Sequence, residues 1–166
     1  MASALPAELS AAAGLVGARL VERGEKVAVA ESSAGGLISA ALVGVPGASA
    51  FYLGGIVVYT AASRRLLQGE APLEAGVRGA SEPFAAYLCR TAAHMHGAEW
   101  GVSETGATGP SGNPYGDPAG HAWVGVSGPG QVRATRNVLT GRADREDNML
   151  AFSVAALTLL LETLNR

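Results

Sequence analysis

The chain has one lysine, Lys26, and one cysteine, Cys89, in 166 residues. A lone cysteine excludes an internal disulfide framework and suits a reducing cytosol. A lone lysine, placed just ahead of the first β-branched stretch, leaves almost no amine to act as general base at a central site. Charged residues make up only 16%, the net charge is −2 and the basic residues are scattered, so the electrostatic footprint of a nucleic-acid or membrane-surface binder is missing. Metal-ligand spacing is missing too. No CxxC, HExxH or carboxylate cluster occurs, His94 and His96 lie two apart on a helix-like run, and His121 stands alone. No GK[ST] follows a glycine-rich turn, which excludes a P-loop, and no GxSxG elbow announces a Ser-His-Asp triad, although a triad stays open. The start, MASALPAELSAAAG, lacks the basic and long apolar regions of a secretory signal.

Apolar residues, by contrast, reach 48%, and there are 23 glycines. That pattern describes a single globular domain with many tight turns, long enough to bury roughly two-thirds or more of its unfolded surface. From Ser32 to Ser63 no residue is charged, a length that can cross a bilayer. Gly35, Gly36, Gly44, Pro46, Gly47, Gly54 and Gly55 interrupt it, so it reads as a buried strand–turn–helix–strand segment.

Leu9, Ala13, Val16 and Leu20 follow Pro6 at helical spacing and stop near Gly24. Lys26–Ala30 reads as a strand ending at Glu31, and a helix-like run reaches Val43. Gly54–Tyr59 reads as a second strand and Ala61–Gln68 as a short helix. Ser81-Glu82-Pro83 opens a helix whose buried face is Phe84, Leu88, Ala92 and Met95. Gly101–Thr105 is a strand, followed by a polar glycine–proline loop from Gly106 to Gly120. Ala122–Val126 and Val132–Val138 pair around the turn Ser127-Gly128-Pro129-Gly130. A last helix starts at Ala143 or Asp144 and buries Met149, Phe152, Ala156, Leu160 and Leu164. Strands alternate with helices early and a hairpin comes late, which predicts a three-layer α/β/α sandwich with a mixed sheet.

Two loops carry candidate chemistry. Glu31-Ser32-Ser33-Ala34-Gly35-Gly36 follows a strand and opens a helix, where backbone N–H groups beside glycines make either an anion site or a plain capped helix start. Thr105–Gly112 is again glycine-rich after a strand, either a functional loop or an exposed excursion. The candidate nucleophiles are Ser32, Ser33, Ser49, Thr105 and Cys89. Cys89, mid-helix beside Leu88, reads as a small buried hydrophobe. Arg64 and Arg65 head a short helix after Tyr59, as solvated charges or as a fixed cation near a hydroxyl.

In order, these segments resemble the C-terminal domain of the CinA (competence/damage-inducible protein) family, which includes stand-alone nicotinamide-mononucleotide amidases. The family's AESCTGG stretch matches Ala30–Gly36. Its turn with serine and strand ending in tyrosine match Val45–Ser49 and Val57-Val58-Tyr59. Its GAVSEP matches Gly79–Pro83, its TGIAGP matches Thr105–Pro110, its PVGTVW matches Pro118–Trp123, and its GDR element matches Asp144-Arg145.

The resemblance implies a metal-free, cofactor-free cytoplasmic amidohydrolase over residues 1–166. It would convert nicotinamide mononucleotide to nicotinic acid mononucleotide and ammonia, without the N-terminal molybdopterin-binding-like domain that members often carry. It implies Ser49 as nucleophile, Tyr59 assisting its deprotonation, and a substrate site made by Glu31, Ser32, Ser33, Gly35, Gly36, Thr105, Gly106, Gly109 and Arg145. The family's lysine is Arg64 here, its AESCTGG threonine is Ala34, the arginine before its strand glycine is Gly54, and the asparagine after its tyrosine is Ala61. Arginine cannot act as a base, so Arg64 is expected to work electrostatically, holding Tyr59 as phenolate or orienting the phosphate. The alternative is a catalytically silent nucleotide-binding module. The expected partners are a small nucleotide and, from the apolar Ser32–Ser63 segment, other copies of the chain, with no nucleic acid and no membrane.

Overall fold

The run Val27–Glu31 (β1) is buried along its whole length, which only a central strand covered on both faces allows. In the computed structural model, which describes residues 4–67, 69, 72–129 and 131–166, β1 lies in a five-stranded sheet. Its parallel neighbours are Tyr52–Val57 (β2) on one side and Trp100–Ala107 (β3) on the other. His121–Gly128 (β4) and Gln131–Leu139 (β5) continue the sheet antiparallel, giving the order β2-β1-β3-β4-β5.

Alternation along β1 divides the core in two. Val27 and Val29 face the helices Ala7–Arg23 (α1), Leu37–Val43 (α2) and Arg145–Leu164 (α5), together with Leu20, Leu42, Leu157 and Leu160. Ala28 and Ala30 face the helix Glu82–His96 (α4), against Phe84, Leu88 and Ala92. The three-layer α/β/α arrangement with a mixed sheet is therefore present. α5 is the one described helix long and apolar enough to cross a membrane, and half of that apolar window is buried against the domain. The uncharged Ser32–Ser63 stretch forms a turn, α2, a 3-10 turn at Ala48–Ala50, β2 and the start of the helix Ala61–Arg65 (α3).

Several boundaries move. β2 begins two residues before Gly54 and ends at Val57, because its register with β1 runs from Val27↔Tyr52 to Glu31↔Val57 and leaves Tyr59 beyond the ladder. α3 stops at Arg65, and Gln68, like Gly130 of the hairpin turn, lies outside the described residues. β3 runs on through Gly106 and Ala107, so the long loop starts at Thr108. β4 and β5 pair as expected and are each longer, reaching Gly128 and Gln131. Met95 is 38% exposed rather than buried. The buried stripe of α4 ends at Ala92, and the half-buried His96 ring packs on Gly54. Met149 is half-buried, while Phe152, Ala156, Leu160 and Leu164 are buried as expected. Asp144 caps α5 by accepting from the Asp147 N–H at 2.9 Å.

Candidate active site

Glu31, the last residue of β1, and Glu104, midway along β3, are fully buried side by side, a register pair on the α2/α5 face of the sheet. Burying carboxylates requires donors, and the start of α2 supplies them for Glu31 and the first glycine-rich loop for Glu104. Glu31 accepts from the Ile38 and Ser39 N–H groups and from the Ser39 hydroxyl at 2.8–3.1 Å. Glu104 Oε2 accepts from the N–H groups of Ser32 (3.1 Å) and Ala34 (2.8 Å), while Oε1 takes a short hydrogen bond from the Ser33 hydroxyl. The loop bends back over this pair through positive φ at Gly35 (68°) and Gly36 (104°). These N–H groups, expected to face a bound anion, thus hold the protein's own carboxylates. Burial pushes the Glu104 carboxyl up to about 7 against the pull of Ser33 and the two N–H groups, with the Glu31 charge adding to the rise.

Above Ser33 opens a cleft of about 200 Å³ lined by Tyr59, Gly106–Gly109, Ser111, Gly112, Asn113 and Arg145. Arg145, in the first turn of α5, donates to the Tyr59 hydroxyl at 2.7 Å and to the Gly109 carbonyl at 2.5 Å. That second bond ties the loop after β3 to α5. The loop is fixed further by Asn148, fully buried, which donates to the carbonyls of Thr108 (2.8 Å) and Arg142 (2.9 Å) and accepts from Thr140. A cis Gly109–Pro110 peptide turns the chain there. Farther along, Asp117 joins the loop to Arg78 (2.6 Å) and to Asn113 (2.8 Å), and the Arg78 guanidinium holds its carboxyl below the usual range.

The remaining candidates are spread out. Thr105 is buried and its hydroxyl accepts from the Ala80 N–H at 3.0 Å, at a residue whose φ is +52°. Arg64 stacks over the Phe84 ring, its guanidinium carbon 4.6 Å from the centroid, with Gly79 closing over it. Its buried Nε has no partner among the described residues. Arg145, not Arg64, is therefore the cation bonded to Tyr59. Ser49 lies exposed on the 3-10 turn that precedes β2. Because β2 runs parallel to β1, that turn is at the end of the sheet opposite Ser33 and Tyr59, so one chain does not bring Ser49 into the cleft. Cys89 is fully buried and its thiol is pushed up to about 11 by burial, which makes it a packing residue. Among the described residues no three His, Cys, Asp or Glu side chains cluster to hold a metal ion.

Glu104, Asn148, Ser111 and Asn113 were not singled out from the sequence. A signal for Glu104 existed, since a carboxylate interrupts the apolar strand of GVSETG. Only strand register shows that it meets Glu31 and Ser33.

Residues 9–164 match the CinA C-terminal domain. A CinA-like protein of Anaeromyxobacter sp. (strain K) is 42% identical over 147 residues, which are 88% of this chain and 36% of that protein. One from Chlorobaculum tepidum is 40% identical over 86% of this chain and 34% of its own length. The chain thus spans about a third of the curated relatives it matches. Among solved structures, the competence/damage inducible protein CihA from Agrobacterium tumefaciens superposes with a TM-score of 0.89 at 28% identity, covering 99% of this chain and all of that one. The order of the strands, the two glycine-rich loops and these matches agree, and the chain belongs to the CinA C-terminal domain family.

Proposed function

We propose that the chain is an amidohydrolase that deamidates nicotinamide mononucleotide to nicotinic acid mononucleotide and ammonia in the cytoplasm. The observation that carries this reading is the cleft that Arg145 and Tyr59, bonded to each other, line together with Ser33 and Gly106–Gly109. Hydrolysing an unactivated amide requires a hydroxyl nucleophile, donors for the developing oxyanion and a proton for the departing ammonia. A guanidinium bonded to a phenol supplies donors for an anion or an oxyanion, with N–H groups left over after its bonds to Tyr59 and Gly109. At about 200 Å³ the cleft is smaller than the 300–1,000 Å³ usual for whole ligands, so it takes one end of a nucleotide and leaves the rest at the surface.

The test is ammonia release from nicotinamide mononucleotide by the purified chain, with and without a chelator. Chelator-insensitive release that Arg145→Ala strongly reduces supports the reading.

A second reading is a binding module that holds the nucleotide without turning it over. Ser49 outside the cleft and Arg64 stacked on Phe84 favour it. Its signature is a raised melting temperature with nicotinamide mononucleotide and no ammonia.

A further inference from the structure

A fully buried glutamate with a serine hydroxyl on one oxygen is a costly way to tie down a turn. Glutamine at position 104 accepts the same two N–H bonds from Ser32 and Ala34 without a charge to bury. The carboxylate adds one thing that glutamine lacks, a basic oxygen aimed at the Ser33 hydroxyl proton. Both N–H donors fall on Oε2, so Oε1 is left to Ser33, and with its proton on Glu104 the Ser33 oxygen turns its lone pairs elsewhere. Ser33 itself lines the cleft with Tyr59 and Arg145.

From this geometry we infer that Ser33 is the acyl-accepting nucleophile of this chain and Glu104 its general base, in place of a serine outside the cleft. The inference rests on the amidohydrolase reading for its substrate. In the first step Ser33 Oγ bonds to the amide carbon, its proton passes to Glu104 Oε1, and the carbonyl electrons move to the oxygen, beside Arg145 and Tyr59. Collapse breaks the carbon–nitrogen bond, and the proton on Glu104 leaves with the nitrogen as ammonia. Water then attacks the acyl-serine and gives a proton to Glu104. Collapse releases the carboxylic acid and returns that proton to Ser33. A carboxyl raised to about 7 is suited to both halves near neutral pH. The ionisable groups around the pair are Glu31 on β1 and, across the cleft, Tyr59 and Arg145.

The test treats the full chain with diisopropyl fluorophosphate and locates the adduct by peptide mass mapping, beside ammonia release from nicotinamide mononucleotide. The expected result is an adduct on Ser33, formed at least tenfold more slowly in Glu104→Gln, with the wild-type rate rising through a midpoint near pH 7. An adduct on Ser49 or elsewhere, none on Ser33, or an unchanged rate in Glu104→Gln overturns the pair. The wild-type adduct site decides the matter even if a variant folds poorly. Ammonia release that survives in Ser33→Ala removes the pair and leaves the amidase reading standing. Labelling of Ser33 without ammonia release keeps the pair and removes nicotinamide mononucleotide as substrate.

Discussion

Arg145 and Tyr59, 86 residues apart in the chain, meet at 2.7 Å across the mouth of the cleft. The contact joins the first turn of α5 to the segment just past β2, and the Arg145 bond to Gly109 brings in the loop after β3. Three stretches of sequence are thus held at one point by one side chain.

Replacing that side chain is accordingly predicted to damage function more than folding. Charge-assisted hydrogen bonds of this kind contribute about 1.5–3 kcal/mol, so Arg145→Ala should weaken nucleotide affinity about 10- to 150-fold. The melting temperature should move little, since Arg145 is exposed. Arg145→Lys should recover only part of the affinity, because a point charge cannot hold Tyr59 and Gly109 together. Calorimetric titration of the three proteins with nicotinamide mononucleotide checks this.

Asn148 should behave in the opposite way. Its amide satisfies the Thr108 and Arg142 carbonyls from a fully buried position, and Asn148→Ala leaves both unpaired. A loss of roughly 2–4 kcal/mol in unfolding free energy is expected. Urea denaturation measures it, and an unchanged midpoint would show that the loop is held by other contacts.

Glu104 links stability to pH. Its carboxyl titrates near 4.5 when unfolded and is raised to about 7 in the fold, so the folded state binds the proton more tightly. Its cost is absent below pH 4.5, grows as pH rises through the window to 7, and is complete above it, at roughly 3 kcal/mol. Glu104→Gln removes the titration. The stability of wild type relative to the variant should therefore fall between pH 4.5 and pH 8, and parallel stability curves would contradict the assignment.

Arg64 is predicted to contribute to packing. Its guanidinium over Phe84 gives a cation–π contact, so Arg64→Ala should cost about 1 kcal/mol of stability. Turnover and substrate affinity should stay within about twofold. A large loss of turnover without loss of stability would instead support an electrostatic role at Tyr59.

The layers and the two loops were legible because each leaves a one-dimensional mark: Leu9, Ala13, Val16 and Leu20 at helical spacing, an unbroken apolar β1, and glycine after a strand. What the sequence does not carry is register. Pairing Val27 with Tyr52 is what separates Ser49 from Tyr59, and pairing Glu31 with Glu104 is what brings a base under Ser33. Arg64 was misleading for a related reason: its position after Tyr59 suggests contact, yet the turn into α3 points it at Phe84 on α4.

The central claim is amide hydrolysis of a pyridine nucleotide, and ammonia release from nicotinamide mononucleotide in the presence of a chelator tests it most directly. The account predicts release by the wild-type chain that Ser33→Ala abolishes while the nucleotide still raises that variant's melting temperature. No release by the wild-type chain, with the nucleotide still stabilising it, would contradict the account and make the domain a binding module.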